Sequence, residues 1–154
     1  MSSKPIVRQR PSDLHDLVDV DLPATRWSVI DQTVIDLFAK ATGDHQWIHV
    51  DVERAASGPY GGTIAHGYLT LSLVGPLFAG VLEVKDTSRV VNYGLDKVRF
   101  PAPLPVDSRV RLLSRITSAA SVPGGVQIVV NAAVQAEGAD KPVCVADAVY
   151  RYFD

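Results

Sequence analysis

Residues 64–82 limit the possible folds of this chain more than any other segment, because they are the one helix apolar enough to be buried all round. The run is nearly long enough to span a membrane. It also contains Thr70, Ser72, Pro76 and three glycines, a density of small and polar residues that favours a helix packed inside a protein. We therefore predict one central helix and no membrane span, with a kink or interruption at Pro76.

In the second half of the chain, apolar and polar residues alternate with the period of two that is typical of strands. Even-numbered positions from 126 to 136 are all Val, Ile or Ala. Residues 143–153 are apolar on both faces, which indicates a central strand. Further strands are predicted at 26–30, 97–100 and 109–112, with turns at 101–105 and 123–125. Helices followed by strands predict an α+β fold, with an antiparallel sheet curled around the central helix.

Three shorter helices are predicted before the central one, each from a capping residue. Ser12, Asp31 and Asp51 are the predicted N-caps. The second helix ends before Gly43, where a left-handed residue is favoured. Residues 1–11 are expected to be a flexible tail. At 154 residues one domain is the natural expectation, so we predict a tail and short helix in 1–24 and a single domain in 25–154.

Composition excludes some classes of function. The net charge of −2 argues against general nucleic-acid binding, which needs a basic surface. Cys144 is the one cysteine, so no intrachain disulfide can form, and a reducing, cytoplasmic location is expected. The N-terminal residues lack the apolar core of a secretory signal.

Asp44 and His49 are the first candidates for a functional site. A carboxylate and an imidazole that converge on one water can together accept a proton and give one back. The alternative is that Asp44 bonds its own loop backbone and His49 is a satisfied core histidine. A metal site is a further alternative, because His45 and His49 have the spacing of a helical ligand pair. Gln46 stands where a zincin motif needs Glu, however, and Gly43 disfavours a helix there, so no metal is predicted.

His66 and Gly67 are the second candidate, at the predicted start of the central helix. A helix N-terminus presents unpaired backbone N–H groups, and a glycine lets a ligand approach them closely. Such a donor suits the developing negative charge on a carbonyl oxygen. The alternative is a glycine required only for packing against the sheet.

The residues 38–74, FAKATGDHQWIHVDVERAASGPYGGTIAHGYLTLSLV, resemble the signature of the MaoC-like dehydratases and (R)-specific enoyl-CoA hydratases. That signature is a GDxNPxHxD segment followed by an HG step that opens a helix, and VNYGLDKVRFPAPLPVDSRV resembles the family's later strand and turn. The resemblance implies a hot-dog fold, a homodimer and an acyl-thioester substrate of coenzyme A or acyl carrier protein. It implies no separate cofactor.

By the same resemblance, Asp44 and His49 match the family's catalytic pair. Gly67 matches the glycine whose N–H binds the thioester oxygen. Gln46 and Trp47 stand where the family usually has Asn and Pro, so this chain departs from the family beside the predicted water site.

Other side chains are weaker candidates for substrate binding. Trp47 and Tyr60 are candidates for an acyl channel, although apolar packing is the simpler interpretation. Cations on the same face of a strand could meet coenzyme phosphates, although a solvated sheet face is the favoured interpretation. The candidate set for substrate binding is Gln46, Trp47, Tyr60, His66, Lys97 and Arg99.

The predicted activity is the addition of water across the 2,3 double bond of an enoyl thioester. A hot-dog thioesterase is one alternative, but such enzymes commonly carry an acid on the central helix and residues 66–82 contain none. A non-catalytic partner subunit that binds acyl thioesters is the other. A sheet of this kind leaves an exposed edge, which native proteins cover or pair. The resemblance implies that two copies pair there, through residues 90–95.

Overall fold

A computed structural model describes residues 4–154. Five strands form the main sheet in the order β2-β5-β6-β7-β4, and every neighbouring pair is antiparallel. These strands are β2 (Ser28–Ile30), β4 (Arg89–Arg99), β5 (Ser108–Val122), β6 (Gly125–Ala136) and β7 (Cys144–Phe153). The helices precede most of the sheet: α1 (Gln32–Thr42), α2 (Trp47–Val50), α3 (Val52–Ala56), α4 (Gly67–Ser72) and α5 (Val74–Ala79). The α+β prediction is confirmed.

The hydrophobic core lies between α4–α5 and one face of the sheet. In β6 every even-numbered residue from 126 to 136 is buried, as the alternation predicts. The Phe78 ring stacks on the Tyr150 ring with centroids 5.3 Å apart, which joins α5 to β7. β7 lies between β6 and β4, so the prediction of an internal strand is confirmed.

The N-terminal tail prediction is wrong for part of its length. β1 (Ile6–Arg8) pairs in parallel with β3 (Leu82–Val84) in a separate two-stranded sheet. A 3₁₀ helix follows at Pro11–Leu17, and it contributes Leu14 and Leu17 to the core. These apolar contacts hold the segment against the rest of the domain. Residues 1–3 of the predicted tail lie outside the described residues.

The prediction of Ser12 as an N-cap is also wrong. The 3₁₀ helix begins one residue earlier, at Pro11, whose missing N–H is no loss at a first helical position. The N-terminal end of this helix is capped by the Asp13 carboxylate, which accepts hydrogen bonds from the backbone N–H groups of Gln9 and Arg10. By contrast, the N-caps at Asp31 and Asp51 are confirmed, since their carboxylates accept from Val34 N–H and Arg54 N–H.

The central apolar run is not one helix. It is divided at Leu73 into α4 and α5, and its last residue, Leu82, is the first of β3. Pro76 has no N–H for the Ser72 carbonyl, which explains the interruption. The run is not buried all round either, because Tyr68 is 71% exposed. Within residues 4–154, no helix combines the length and apolar character needed to cross a membrane.

Candidate active site

Asp44 lies in an exposed loop directly after α1. Gly43 ends that helix with φ of 77°, and its N–H donates to the Ala39 carbonyl, as the C-cap prediction requires. The chain then turns, and Asp44 Oδ1 accepts a weak bond of 3.3 Å from the Gln46 N–H. The carboxylate is therefore oriented by its own loop while remaining open to solvent.

His49 is 6% exposed and lies on α2, a single turn that the sequence did not predict. Its Nδ1–H donates to the Ile64 carbonyl over 2.7 Å. Because a carbonyl can only accept, this bond leaves the other ring nitrogen, Nε2, with a free lone pair. Burial lowers the pKa of His49 and the adjacent His66 acts in the same direction, whereas the bond to Ile64 and the nearby Asp44 act against it. The net lowering of the pKa favours the neutral imidazole that can accept a proton.

Gln32, which sequence reasoning missed, holds the His49 segment in place. Its Nε2 donates to the His49 carbonyl over 2.8 Å, and its Oε1 accepts from the Thr63 hydroxyl over 2.6 Å. Thr63 directly precedes Ile64, whose carbonyl orients the His49 ring. A glutamine at the start of a helix carries no sequence signal for this role, because its partners are 17 and 31 residues away.

Gly67 is the first residue of α4 and, within the described residues, its N–H has no hydrogen-bond acceptor. α4 has only six residues, so the donor is this single N–H rather than the end of a long helix. A Cβ at position 67 would lie 3.1 Å from the Phe100 ring. Packing against Phe100 thus requires a small residue here, whatever the N–H does.

One cavity of about 320 Å³ brings His49, Tyr60 and Gly67 together. Its remaining walls are largely apolar: Ile64, Ala65, Thr70, Phe100, Pro101, Ala102, Pro103, Leu104 and Val143. The aromatic Phe100 and the 101–105 turn were predicted only as a strand end and a turn. Asp44 does not line this cavity. It lies beside the cavity, next to the two buried histidines, His49 and His66.

The other predicted binding residues lie away from the cavity. Trp47 packs beside Gly58, and the Arg54 guanidinium lies 4.2 Å from the centroid of its ring, so the acyl-channel role is not supported. Gln46 is exposed in the Asp44 loop. Lys97 and Arg99 are exposed on β4, and the Lys97 ammonium is 3.9 Å from Asp147.

The cations of β5 support the interpretation of a solvated sheet face. Arg109 bonds both carboxylate oxygens of Glu137. Arg111 bonds Gln135, and Arg115 bonds Asp21. Each of these guanidinium groups is occupied by a neighbour on the sheet or on the preceding loop.

His66 is 2% exposed and lies behind the cavity wall, between Asp44 and His49. One ligand atom each from Asp44, His49 and His66 lies within 4.8 Å of the others, the spacing of a possible metal site. The two imidazole rings, however, are stacked with centroids 3.8 Å apart and an angle of 25° between their planes. Lone pairs in two nearly parallel planes do not converge on one ion, so this geometry suits proton transfer better than metal binding.

Comparisons with known proteins place the chain in a family. The model described as MaoC like domain matches residues 16–138. The 3-hydroxyacyl-thioester dehydratase Z of Mycobacterium tuberculosis (strain ATCC 25618 / H37Rv) is 53% identical over 127 residues, covering 82% of this chain and 84% of that protein. The chain belongs to the MaoC-like dehydratase family.

Solved structures show the same fold. The unliganded R-hydratase PhaJ1 from Pseudomonas aeruginosa matches with a TM-score of 0.71 and 22% identity, over 86% of this chain and 81% of that one. A chain of the ChsH1-ChsH2 complex from Mycobacterium tuberculosis matches with a TM-score of 0.69 and 18% identity, over 89% and 98%. The predicted hot-dog fold is confirmed.

Proposed function

We propose that this protein hydrates 2,3-enoyl thioesters to 3-hydroxyacyl thioesters and catalyses the reverse dehydration. The observation that carries the proposal is the shared cavity, which is lined by His49, with a free lone pair on Nε2, and by Gly67, whose N–H has no acceptor within the described residues. The names of a relative and of a structural neighbour, a 3-hydroxyacyl-thioester dehydratase and an R-hydratase, support the same reaction class.

In the proposed mechanism, Asp44 and His49 hold one water beside C3 of the substrate. As the water oxygen bonds to C3, one O–H proton passes to the pair, for which His49 Nε2 has the free lone pair. The electrons of the double bond move to the thioester oxygen, where the Gly67 N–H stabilises the enolate. The pair then gives one proton to C2, and its protonation state returns to the starting one.

The substrate carrier is proposed to be coenzyme A or acyl carrier protein, as part of the substrate and without a separate cofactor. Tyr60 and the apolar cavity walls would contact the acyl chain near the thioester. Asp44 and His49 would stand on one side of the bound alkene, so water would add to one face. The name of the structural neighbour, an R-hydratase, supports the (R)-3-hydroxyacyl thioester as the proposed product.

One assay separates the three candidate functions. Crotonyl-CoA loses the absorbance of its conjugated double bond on hydration, whereas hydrolysis releases a free thiol that a thiol reagent detects. We expect loss of absorbance without free thiol. Thiol release would instead identify a thioesterase, and saturable binding without either signal would identify a non-catalytic partner subunit.

A further inference from the structure

The His66 side chain contacts both members of the proposed proton-transfer pair. Its Nε2–H donates to the Asp44 backbone carbonyl over 3.0 Å, and its ring stacks on the His49 ring at 3.8 Å. On its outer side the Phe38 ring of α1 lies 5.0 Å away. The ring is thus enclosed by α1, α2 and the Asp44 loop.

The same residue is directly connected to the proposed oxyanion donor. The Gly67 N–H belongs to the peptide bond between His66 and Gly67, so fixing the His66 side chain also restrains that peptide plane. The His66 carbonyl accepts from the N–H groups of Leu69 and Thr70 over 3.0 and 3.2 Å, which anchors the other side of the residue.

Packing alone does not explain a histidine at this position. Because the acceptor at Nε2 is a carbonyl, Nε2 carries the proton and Nδ1 is a bare acceptor. Within the described residues Nδ1 is buried without a hydrogen-bond partner, which is unfavourable. An apolar ring of similar size would fill the space without that cost, but it could not hold the Asp44 carbonyl.

We propose that His66 is a positioning residue that sets the distance and orientation of Asp44, His49 and the Gly67 N–H relative to one another. The inference rests on the proposed hydratase function. It assigns His66 to the support of the site rather than to the substrate contact expected from the sequence, in agreement with its place behind the cavity wall.

Two substitutions of His66 separate the hydrogen bond from the packing. His66→Phe keeps an aromatic ring against His49 but removes the donor to Asp44. His66→Gln places an amide N–H near the position of Nε2 and restores that donor. His15→Gln is the matched control, because His15 is exposed on the 3₁₀ helix, outside the described site.

We expect His66→Phe to lower kcat on crotonyl-CoA by about 10- to 100-fold with little change in KM, since misplacement of reacting groups affects the chemical step. His66→Gln should recover most of the lost kcat, and His15→Gln should match the wild type. The proposal would be overturned if His66→Phe turned over at the wild-type rate or changed only KM. It would also be overturned if His66→Gln recovered none of the lost kcat.

A measurement without substrate keeps the inference testable if the chain hydrates no enoyl thioester or a variant does not fold. In the wild-type protein with ¹⁵N-labelled histidine, the NMR signals should place the proton of His66 on Nε2 and that of His49 on Nδ1. A proton on His66 Nδ1 alone, or exchange between the two tautomers, would overturn the positioning role. Failure of the crotonyl-CoA assay by itself would overturn only the hydratase proposal.

Discussion

At the scale of single residues, two neighbouring imidazoles take different roles because opposite ring nitrogens are bonded to the backbone. His49 donates from Nδ1 to Ile64, and His66 donates from Nε2 to Asp44. Both tautomers are set by carbonyl groups that can only accept. His49 is left with a free Nε2 and lines the cavity, whereas His66 is enclosed behind the cavity wall, where we propose that it positions the other groups of the site.

The first residue-scale prediction concerns the proton-transfer pair. Asp44→Asn and His49→Gln should each lower kcat by about 10²- to 10⁴-fold, the usual contribution of a general acid–base group. Steady-state hydration of crotonyl-CoA measures the effect, and circular dichroism checks that each variant is folded. Near-wild-type turnover by either folded variant would contradict the assignment.

The second residue-scale prediction concerns pH and stability. Burial lowers the pKa of His49 below its ordinary value of 6.5, so the unfolded chain binds more protons than the folded chain just below that pH. The contribution of His49 to the free energy of unfolding should therefore be greatest above pH 6.5. It should decrease as the pH falls below 6.5 and become constant below the folded pKa. Urea titrations of the wild type and His49→Gln across this range measure the difference. A wild-type-minus-variant difference that shrinks or stays constant as the pH rises towards 6.5 would contradict the prediction.

At the scale of elements, the site depends on short segments held by distant partners. α2 is a single turn, too short to be stable alone, and the Gln32 amide connects the His49 carbonyl to the Thr63 hydroxyl. The caps at Asp31, Gly43 and Asp51 could be predicted from the sequence because capping is local. α2 and the Gln32 bonds could not, because their stabilising contacts join residues far apart in the chain.

This arrangement predicts that Gln32→Ala destabilises the protein by about 1–3 kcal/mol, because the buried Thr63 hydroxyl loses its partner. Thr63→Val should restore part of that loss in the Gln32→Ala background, since it removes the unsatisfied group. Urea unfolding of the two single variants and the double variant gives the coupling energy. Fully additive effects would show that the two side chains do not act as a pair.

At the scale of the whole molecule, β4 is an exposed sheet edge with an unusual apolar surface. Its side chains include the exposed Val90, Val91, Tyr93 and Leu95, and Tyr68 and Phe100 are exposed as well. The alternation of polar and apolar residues indicated only residues 97–100 of this strand, because its exposed part does not alternate, and residues 90–95 were indicated by the family resemblance alone. Unpaired edges of this kind are normally covered in native proteins.

We therefore expect a homodimer in which β4 and its exposed apolar side chains meet a second copy. Sedimentation at micromolar concentration should give twice the mass of the chain. Leu95→Lys should shift the protein towards monomer, whereas Leu37→Lys should not, although Leu37 on α1 is the more exposed of the two leucines, at 62% against 47%. An active wild-type monomer would contradict this prediction.

We propose that this site adds water to an enoyl thioester through proton transfer by Asp44 and His49. The most direct test is to run the reaction on crotonyl-CoA in D₂O and analyse the product by mass spectrometry and chiral chromatography. We expect (R)-3-hydroxybutyryl-CoA with one deuterium on C2. Asp44→Asn and His49→Gln should form this product far more slowly than the wild type. A free acid without deuterium at C2 would contradict the proposed reaction. Product formed by the variants as fast as by the wild type would contradict the roles of the two residues.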